Sequence, residues 1–274
     1  MKRILARAPL TLFTILSAAP LLAQVTGAGP PPPPPILYIQ RELIKPGKSV
    51  AHNEWESGWP AAFSRANHPT SFLGMNAITG VNEAWFLIGF PSFDAMEKDQ
   101  ARIEANAPLA AENRRLTAGE SEFVETTRGI AAAYVPEVSY RPNVDIARMR
   151  YVEVITFVTR PGRDAEFLKA GGIVRDGFTK ASIDQPFAVY RAVSGTVAAG
   201  TFYVFIPMRS LSSLDKGPSN WEAMMRAVGS EQMAAFVKLT TDGVMTSQSQ
   251  IFAFNPKMSY LSKEMKASDP AFWK

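Results

Sequence analysis

Two histidines and no cysteine are the whole imidazole and thiol inventory of this 274-residue chain. Thiolate nucleophiles, disulfide frameworks and Cys-based zinc or iron–sulfur sites are therefore excluded. His52 and Glu56 stand four residues apart, a spacing that puts both on one face of a helix. Trp55 and Trp59 form a second such pair beside them. An imidazole beside a carboxylate suits general acid–base work. As a metal site the pair offers two donors where transition metals usually take three or four, so Glu54, Glu83 or Asp94 would have to complete it; we assign no metal. The bland alternative is an exposed polar helix face with a local His–Glu contact. His68 precedes Pro69, where its ring can meet the last carbonyls of the same helix.

The strands hold the other candidates. A ligand inside a barrel of strands needs a few fixed polar groups among apolar walls, and Tyr38, Arg41, Asn76, Tyr151, Glu153, Tyr190 and Arg191 are available. Arg191, in Ala188-Val189-Tyr190-Arg191-Ala192-Val193, could bind a carboxylate bidentately or simply face solvent. Glu83 lies in Asn82-Glu83-x-Trp85, where turn chemistry also explains Asn82. There is no G-x-S-x-G, G-x-x-x-x-G-K-[ST], H-E-x-x-H or strand-following G-x-G-x-x-G, so hydrolase, P-loop, zincin and Rossmann readings lack support.

These residues must be positioned by a repeat. Lys45-Pro46-Gly47-Lys48 follows the alternating run Ile36–Leu43, and Arg160-Pro161-Gly162-Arg163 follows Arg150–Val158, an offset of 115. Trp85–Ile88 leads to Ser92-Phe93 as Tyr203–Ile206 leads to Ser210-Leu211, an offset of 118. Pro108, Glu112 and Gly119 match Pro218, Glu222 and Gly229 at an offset of 110. Each unit predicts a strand, a helix capped by Ser49 or Asp164 (50–67, 165–182), a hairpin, a broken helical stretch (92–128, 210–242) and a last strand (130–138, 248–255). That β-α-β-β-α-β order is the ferredoxin-like motif. The fold class is thus α+β, with two tandem units whose antiparallel sheets pack into one α/β barrel.

Units at 36–139 and 148–256 are joined by a linker at 140–147 and followed by a tail at 257–274. Ahead of them, Lys2, Arg3 and Arg7 precede an apolar run ending at Leu22-Ala23, a secretory signal peptide pattern over 1–23 with cleavage expected after Ala23. That predicts a periplasmic or secreted protein with no membrane span after cleavage. Residues 24–35 carry six consecutive prolines, an extended spacer. The leader's three cations account for most of the net charge of +4, and the aromatics do not interleave with a basic stripe, so no nucleic acid is expected as a partner. The duplication satisfies within one chain what single units obtain by pairing; monomer is the expectation, with a homo-oligomer the alternative.

The Pro-Gly turn at 45–48, the hairpin from Gly80 to Leu87 and Ser92-Phe93 resemble the dimeric α/β-barrel superfamily, and within it most closely a NIPSNAP-type repeat. The second unit keeps the 160–163 turn and lacks the Asn82-Glu83-x-Trp85 pattern. The resemblance implies a fold used by cofactor-independent monooxygenases, isomerases, heme enzymes and proteins without known catalysis, so it names no reaction and no cofactor. In some relatives cofactors lie between sheet and helix, which would make His52 an axial heme ligand. Two readings follow. One is an exported binding or assembly protein for a small apolar or carboxylate-bearing ligand, held by Tyr38, Arg41, Trp55, Asn76, Glu83, Tyr151, Tyr190 or Arg191. The other is a monooxygenase-like or isomerase-like enzyme, or a heme-binding one, with His52 and Glu56 as its catalytic pair.

Overall fold

Two basic Pro-Gly turns set the frame. In a computed structural model describing residues 30–274, Gly47 and Gly162 take φ of +76° and +75°, the left-handed position that a tight turn after proline reserves for glycine. The first turn joins β1 (Ile36–Ile44) to a helix in two pieces, α1 (Ser49–Glu56) and α2 (Gly58–Arg65). A hairpin of β2 (Phe72–Ala77) and β3 (Glu83–Phe90) follows, then α3 (Phe93–Ala105), α4 (Ala107–Glu120) and β4 (Val124–Tyr134). The second unit repeats the order as β5 (Tyr151–Thr159), α5 (Asp164–Lys180), β6 (Ala188–Gly195), β7 (Thr201–Met208), α6 (Gly217–Gly243) and β8 (Val244–Phe254), and α7 (Lys263–Ser268) lies in the tail. The leader pattern and residues 24–29 of the spacer fall outside the described residues. No described helix is long and apolar enough to cross a membrane.

All strand pairs are antiparallel and close into one barrel in the order β1-β3-β2-β8-β5-β7-β6-β4. Each unit is a four-stranded ferredoxin-like sheet, and the two join edge to edge through β2–β8 and β4–β6. The α+β barrel expected from the sequence is thus present. Ile36 pairs with Phe90 and Tyr151 with Met208, the 115 and 118 offsets carried into register. The register shifts at Leu43/Ile44 and Val158/Thr159 are likewise equivalent.

Alternation along each strand divides the core in three. Leu37, Ile39, Met75, Trp85, Val154, Tyr203 and Phe252 point into the barrel; alternate residues meet α1–α4 in one unit and α5–α6 in the other. The tail packs on its own barrel: Trp273 is 4% exposed and donates from Nε1 to the Ala147 carbonyl at 2.5 Å, and Arg150 pairs with Asp269.

Several expectations need correction. Ser49 and Asp164 are first-turn residues and cap nothing; Ser49 bonds Asn82, and Asp164 accepts from Thr159 Oγ1 at 2.6 Å. The match at offset 110 fails, because Gly119 sits within α4 against Trp55 whereas Gly229, at φ +81°, is the kink in α6. The break in the first unit falls at Asn106, whose side chain accepts from the Leu109 amide. The last strands begin earlier than expected, at Val124 and Val244 in place of 130 and 248; their first residues, Glu125–Arg128 and Met245–Ser249, are exposed and carry no apolar alternation.

Candidate active site

Glu42 and His52 are fully buried and Glu56 is 1% exposed. Glu42 lies on the helix-facing side of β1, directly under α1. His52 Nε2 is 2.8 Å from Glu42 Oε2, and Gln40 Nε2 donates to the other Glu42 oxygen at 2.5 Å. His52, Glu42 and Glu56 each place a donor atom within 4.8 Å of the others. His52 Nδ1 and Glu56 Oε1 have no hydrogen-bond partner. Glu56 and Gln40 form part of the wall of a cleft of about 630 Å³ between the first unit's sheet and its helices. Tyr38 and Glu120 line the same space, with Trp59, Phe63 and Phe86 supplying apolar wall. Burial, then the charges of Glu42 and Glu120, push the Glu56 carboxyl up to about 9. Burial, then Glu42, pushes Glu120 up to about 7. At neutral pH the cleft therefore presents a protonated carboxyl beside one that is half ionised.

The second unit is an internal control. At the 115 offset Phe157 replaces Glu42, Phe167 replaces His52, Gly171 replaces Glu56 and Ile155 replaces Gln40. Phe157 and Phe167 pack at 5.2 Å between ring centroids, and the cavity there is only about 300 Å³ and almost wholly apolar. The fold is thus content with an aromatic pair at this position. The Glu–His–Glu set, three polar groups taken out of water at a cost that hydrogen bonds only partly offset, is not something the fold demands.

The other candidates suggested by the sequence scatter. Arg41 points into the barrel, forks onto Glu83 with both contacts at 2.9 Å and lies 4.5 Å over Trp85; Trp85 Nε1 also donates to Glu83 at 2.7 Å. This group fills one end of the barrel and pairs the Arg41 and Glu83 charges with each other, leaving Arg41 Nε and the Tyr203 hydroxyl buried without partners. Tyr190 also faces the barrel interior, where its hydroxyl donates to the Pro34 carbonyl at 3.1 Å and burial raises its pKa. Arg191 is exposed and ion-paired to Asp164, because it alternates with Tyr190 onto the helix-facing side, so it is no interior anchor. Trp55 is no ligand group either: it docks α1 on α4, donating to the Leu116 carbonyl at 3.1 Å. Asn76 and Tyr151 line none of the cavities described. His68 Nδ1 accepts from the Thr70 amide at 3.3 Å and Nε2 faces Asp99 at 3.6 Å, and burial lowers its pKa; it caps no carbonyl.

Of the extra ligands the sequence suggested for His52, Glu54 and Asp94 are exposed and Glu83 is in the barrel. The true neighbour is Glu42, which sequence reasoning missed. A divalent cation could bridge Glu42, His52 and Glu56, but Nε2 and both Glu42 oxygens already serve one another and Gln40. A heme does not fit the three cavities described, since neither histidine lines any of them.

The fold and cleft define this class of protein: a tandem ferredoxin-like α+β barrel, with both halves of a dimeric barrel in one chain. No protein-family model and no curated protein matches the sequence. Among solved structures the chain is similar to a "putative monooxygenase" from Fusobacterium nucleatum, with a TM-score of 0.52, 10% identity, and 81% of this chain and 93% of that one covered. It is also similar to a "putative monooxygenase" from Lactobacillus acidophilus (TM-score 0.49, 10% identity, 82% and 95% covered) and to a heme-binding protein from Thermus thermophilus (TM-score 0.40, 10% identity, 88% and 98% covered). At these identities the likeness concerns the fold alone.

Proposed function

We propose that the first-unit cleft is the active site of a small-molecule enzyme that moves a proton on a largely apolar organic substrate, an isomerase-like reaction. The single observation that carries this reading is the buried Glu42–His52–Glu56 set, opening through Glu56 into a cleft it shares with Glu120, where the second unit has Phe157, Phe167 and Gly171. Two carboxyls with pKa values pushed apart suit paired acid and base roles. Glu120, near 7, takes a proton from an acidified C–H or O–H of the substrate. Glu56, protonated up to about 9, returns one to a second atom, so that no co-reactant is consumed. His52 and Glu42 stand behind Glu56 as positioning residues. The substrate anion formed in the first half is also the species that dioxygen could attack, which keeps the monooxygenase description of the Fusobacterium protein compatible with the same cleft. The NIPSNAP-type likeness and export to the periplasm or medium rest on the sequence patterns at 45–48, 80–87 and 1–23, and we include both in the proposal.

The test is a 13C titration of the glutamate carboxyls, with deuterium uptake from D2O into a panel of enolisable ketones and phenols. Two carboxyls titrating near 7 and 9, lost one each in Glu120→Gln and Glu56→Gln, and uptake abolished in Glu120→Gln, are the expected results. Carboxyls that all titrate between 4 and 5, or a stoichiometric divalent cation lost from His52→Phe, would sink it.

A further inference from the structure

A second chamber lies on the other side of the same sheet. The barrel is packed solid at one depth: Ile39, Met75, Trp85, Val154, Tyr203 and Phe252 are each at most 1% exposed. One step along the strands, toward the end where β1 begins, the same inward face carries Leu37, Leu73, Leu87, Val152, Phe205 and Phe254, and these surround a hollow of about 650 Å³. Protein interiors rarely leave voids larger than a water molecule, and a hollow this size falls in the range of small-molecule sites.

Its chemistry is restrictive. The Tyr190 hydroxyl in its wall is already given to the Pro34 carbonyl, and that of Thr70 to Asp99. The rim cations are also taken: Lys98 pairs with Asp94 at 2.8 Å and Arg102 with Asp99 at 3.1 Å. The deep wall, made by Leu37, Leu73, Leu87, Val152, Phe205 and Phe254, therefore offers no donor and no charge, and the polar groups of the lining belong to Thr70, Ser71, Tyr190 and the Asp94–Arg102 face of α3. Water gains little there, and a charged ligand would lose hydration without a partner. Beside the α3 residues, three segments from outside the two sheets complete the rim. Pro31–Pro34 crosses one side, seated where a Cβ on Gly89 would collide with Pro34. Val144 and Ile146 of the inter-unit linker and Leu261 and Met265 of the tail form the other. Residues 31–34 are thus a wall of the chamber, beyond the spacer role that the sequence suggests.

We propose that this cup binds a neutral, apolar small molecule, at a site separate from the proton-transfer cleft. Leu37 and Leu87 face the cup while Tyr38 and Ile88, their chain neighbours, face the cleft. The two spaces meet only at the rim, beside Thr70, Phe72, Phe90 and Asp99.

The full chain is titrated with N-phenyl-1-naphthylamine, a neutral apolar fluorophore. Ala188→Trp places an indole in the cup, and Ile103→Trp places one in the cleft. The proposal expects saturable one-to-one binding by the unaltered protein, weakened at least about tenfold by Ala188→Trp with the melting temperature retained, and unchanged by Ile103→Trp or Glu56→Gln. The anionic analogue 1-anilinonaphthalene-8-sulfonate should bind at least about tenfold more weakly than the neutral probe. Absence of saturable binding, binding indifferent to Ala188→Trp, loss on Ile103→Trp alone, or equal affinity for the anionic probe would each overturn it. Because Glu56→Gln enters only as a control, the cleft reading can fail while this one stands.

Discussion

His52 and Glu42 hold each other in place, and removing one is a different experiment from replacing both. With His52→Phe alone, Glu42 stays buried with one oxygen left unpaired and only Gln40 as donor, which typically destabilises by about 1–3 kcal/mol. The double variant Glu42→Phe/His52→Phe copies the Phe157–Phe167 packing of the second unit. It should melt at or above the temperature of the unaltered protein while showing none of the proton chemistry. A double variant as unstable as the single would mean that the set serves packing. Glu56 makes a prediction with a sign. Its folded pKa of about 9 lies above the ordinary 4.5, so the folded state binds the extra proton and stability falls as pH rises between those values. The slope is at most about 1.4 kcal/mol per pH unit for one group. Glu56→Gln should flatten denaturant stability measured from pH 5 to 9 and raise it at the alkaline end; an unchanged slope would show the carboxyl ionised throughout. His52 and Glu56 were legible because helical spacing puts them on one face. Glu42 was not, because it ends the polar run Gln40-Arg41-Glu42, which reads as a solvent-facing stretch of strand, and only the helix laid over it reveals that Glu42 is buried.

At the scale of elements, the Pro-Gly turns were the most readable feature, since their chemistry is local. Gly47 and Gly162 hold positive φ with open space where a Cβ would stand. Alanine at either therefore meets only backbone strain, about 1–2 kcal/mol. Gly47→Ala and Gly162→Ala should cost similar amounts in chemical denaturation; a neutral result at one would mean that its turn relaxes to another form. Boundaries fixed by tertiary contact were harder to read. Residues 125–128 fall in the stretch expected to be helical, yet Arg128 pairs with Arg41 across β1–β4 and Thr127 with Glu42. The ladder holds them in strand, as the β-branched Thr126 and Thr127 favour, though no apolar alternation marks it. The caps failed for a related reason: Ser49 and Asp164 find partners in other strands and turns, Asn82 for the first and Thr159 and Arg191 for the second, in place of the helix amides.

The whole molecule followed from the repeat, because a ferredoxin-like sheet with one bare apolar face has few ways to cover it and a second copy in the same chain is the nearest. What the repeat could not say is how the barrel ends are finished, since those pieces lie outside both units. One end is closed by Arg41, Glu83 and Trp85 from within. The other is bordered by the proline segment, the linker and the tail, and Trp273 is the tail's anchor, 4% exposed and bonded to Ala147 of the linker. Truncating a buried tryptophan typically removes about 3–5 kcal/mol, yet here the loss should be local as well as global. Trp273→Ala should lower the melting temperature and raise amide hydrogen exchange first in residues 144–149 and 261–268, with the central strands β1 and β5 protected until global unfolding. Uniform loss of protection would mean that the tail stabilises the barrel as one unit. Unchanged protection at 144–149 would mean that the tail is a passenger and the mouth is held by the linker alone.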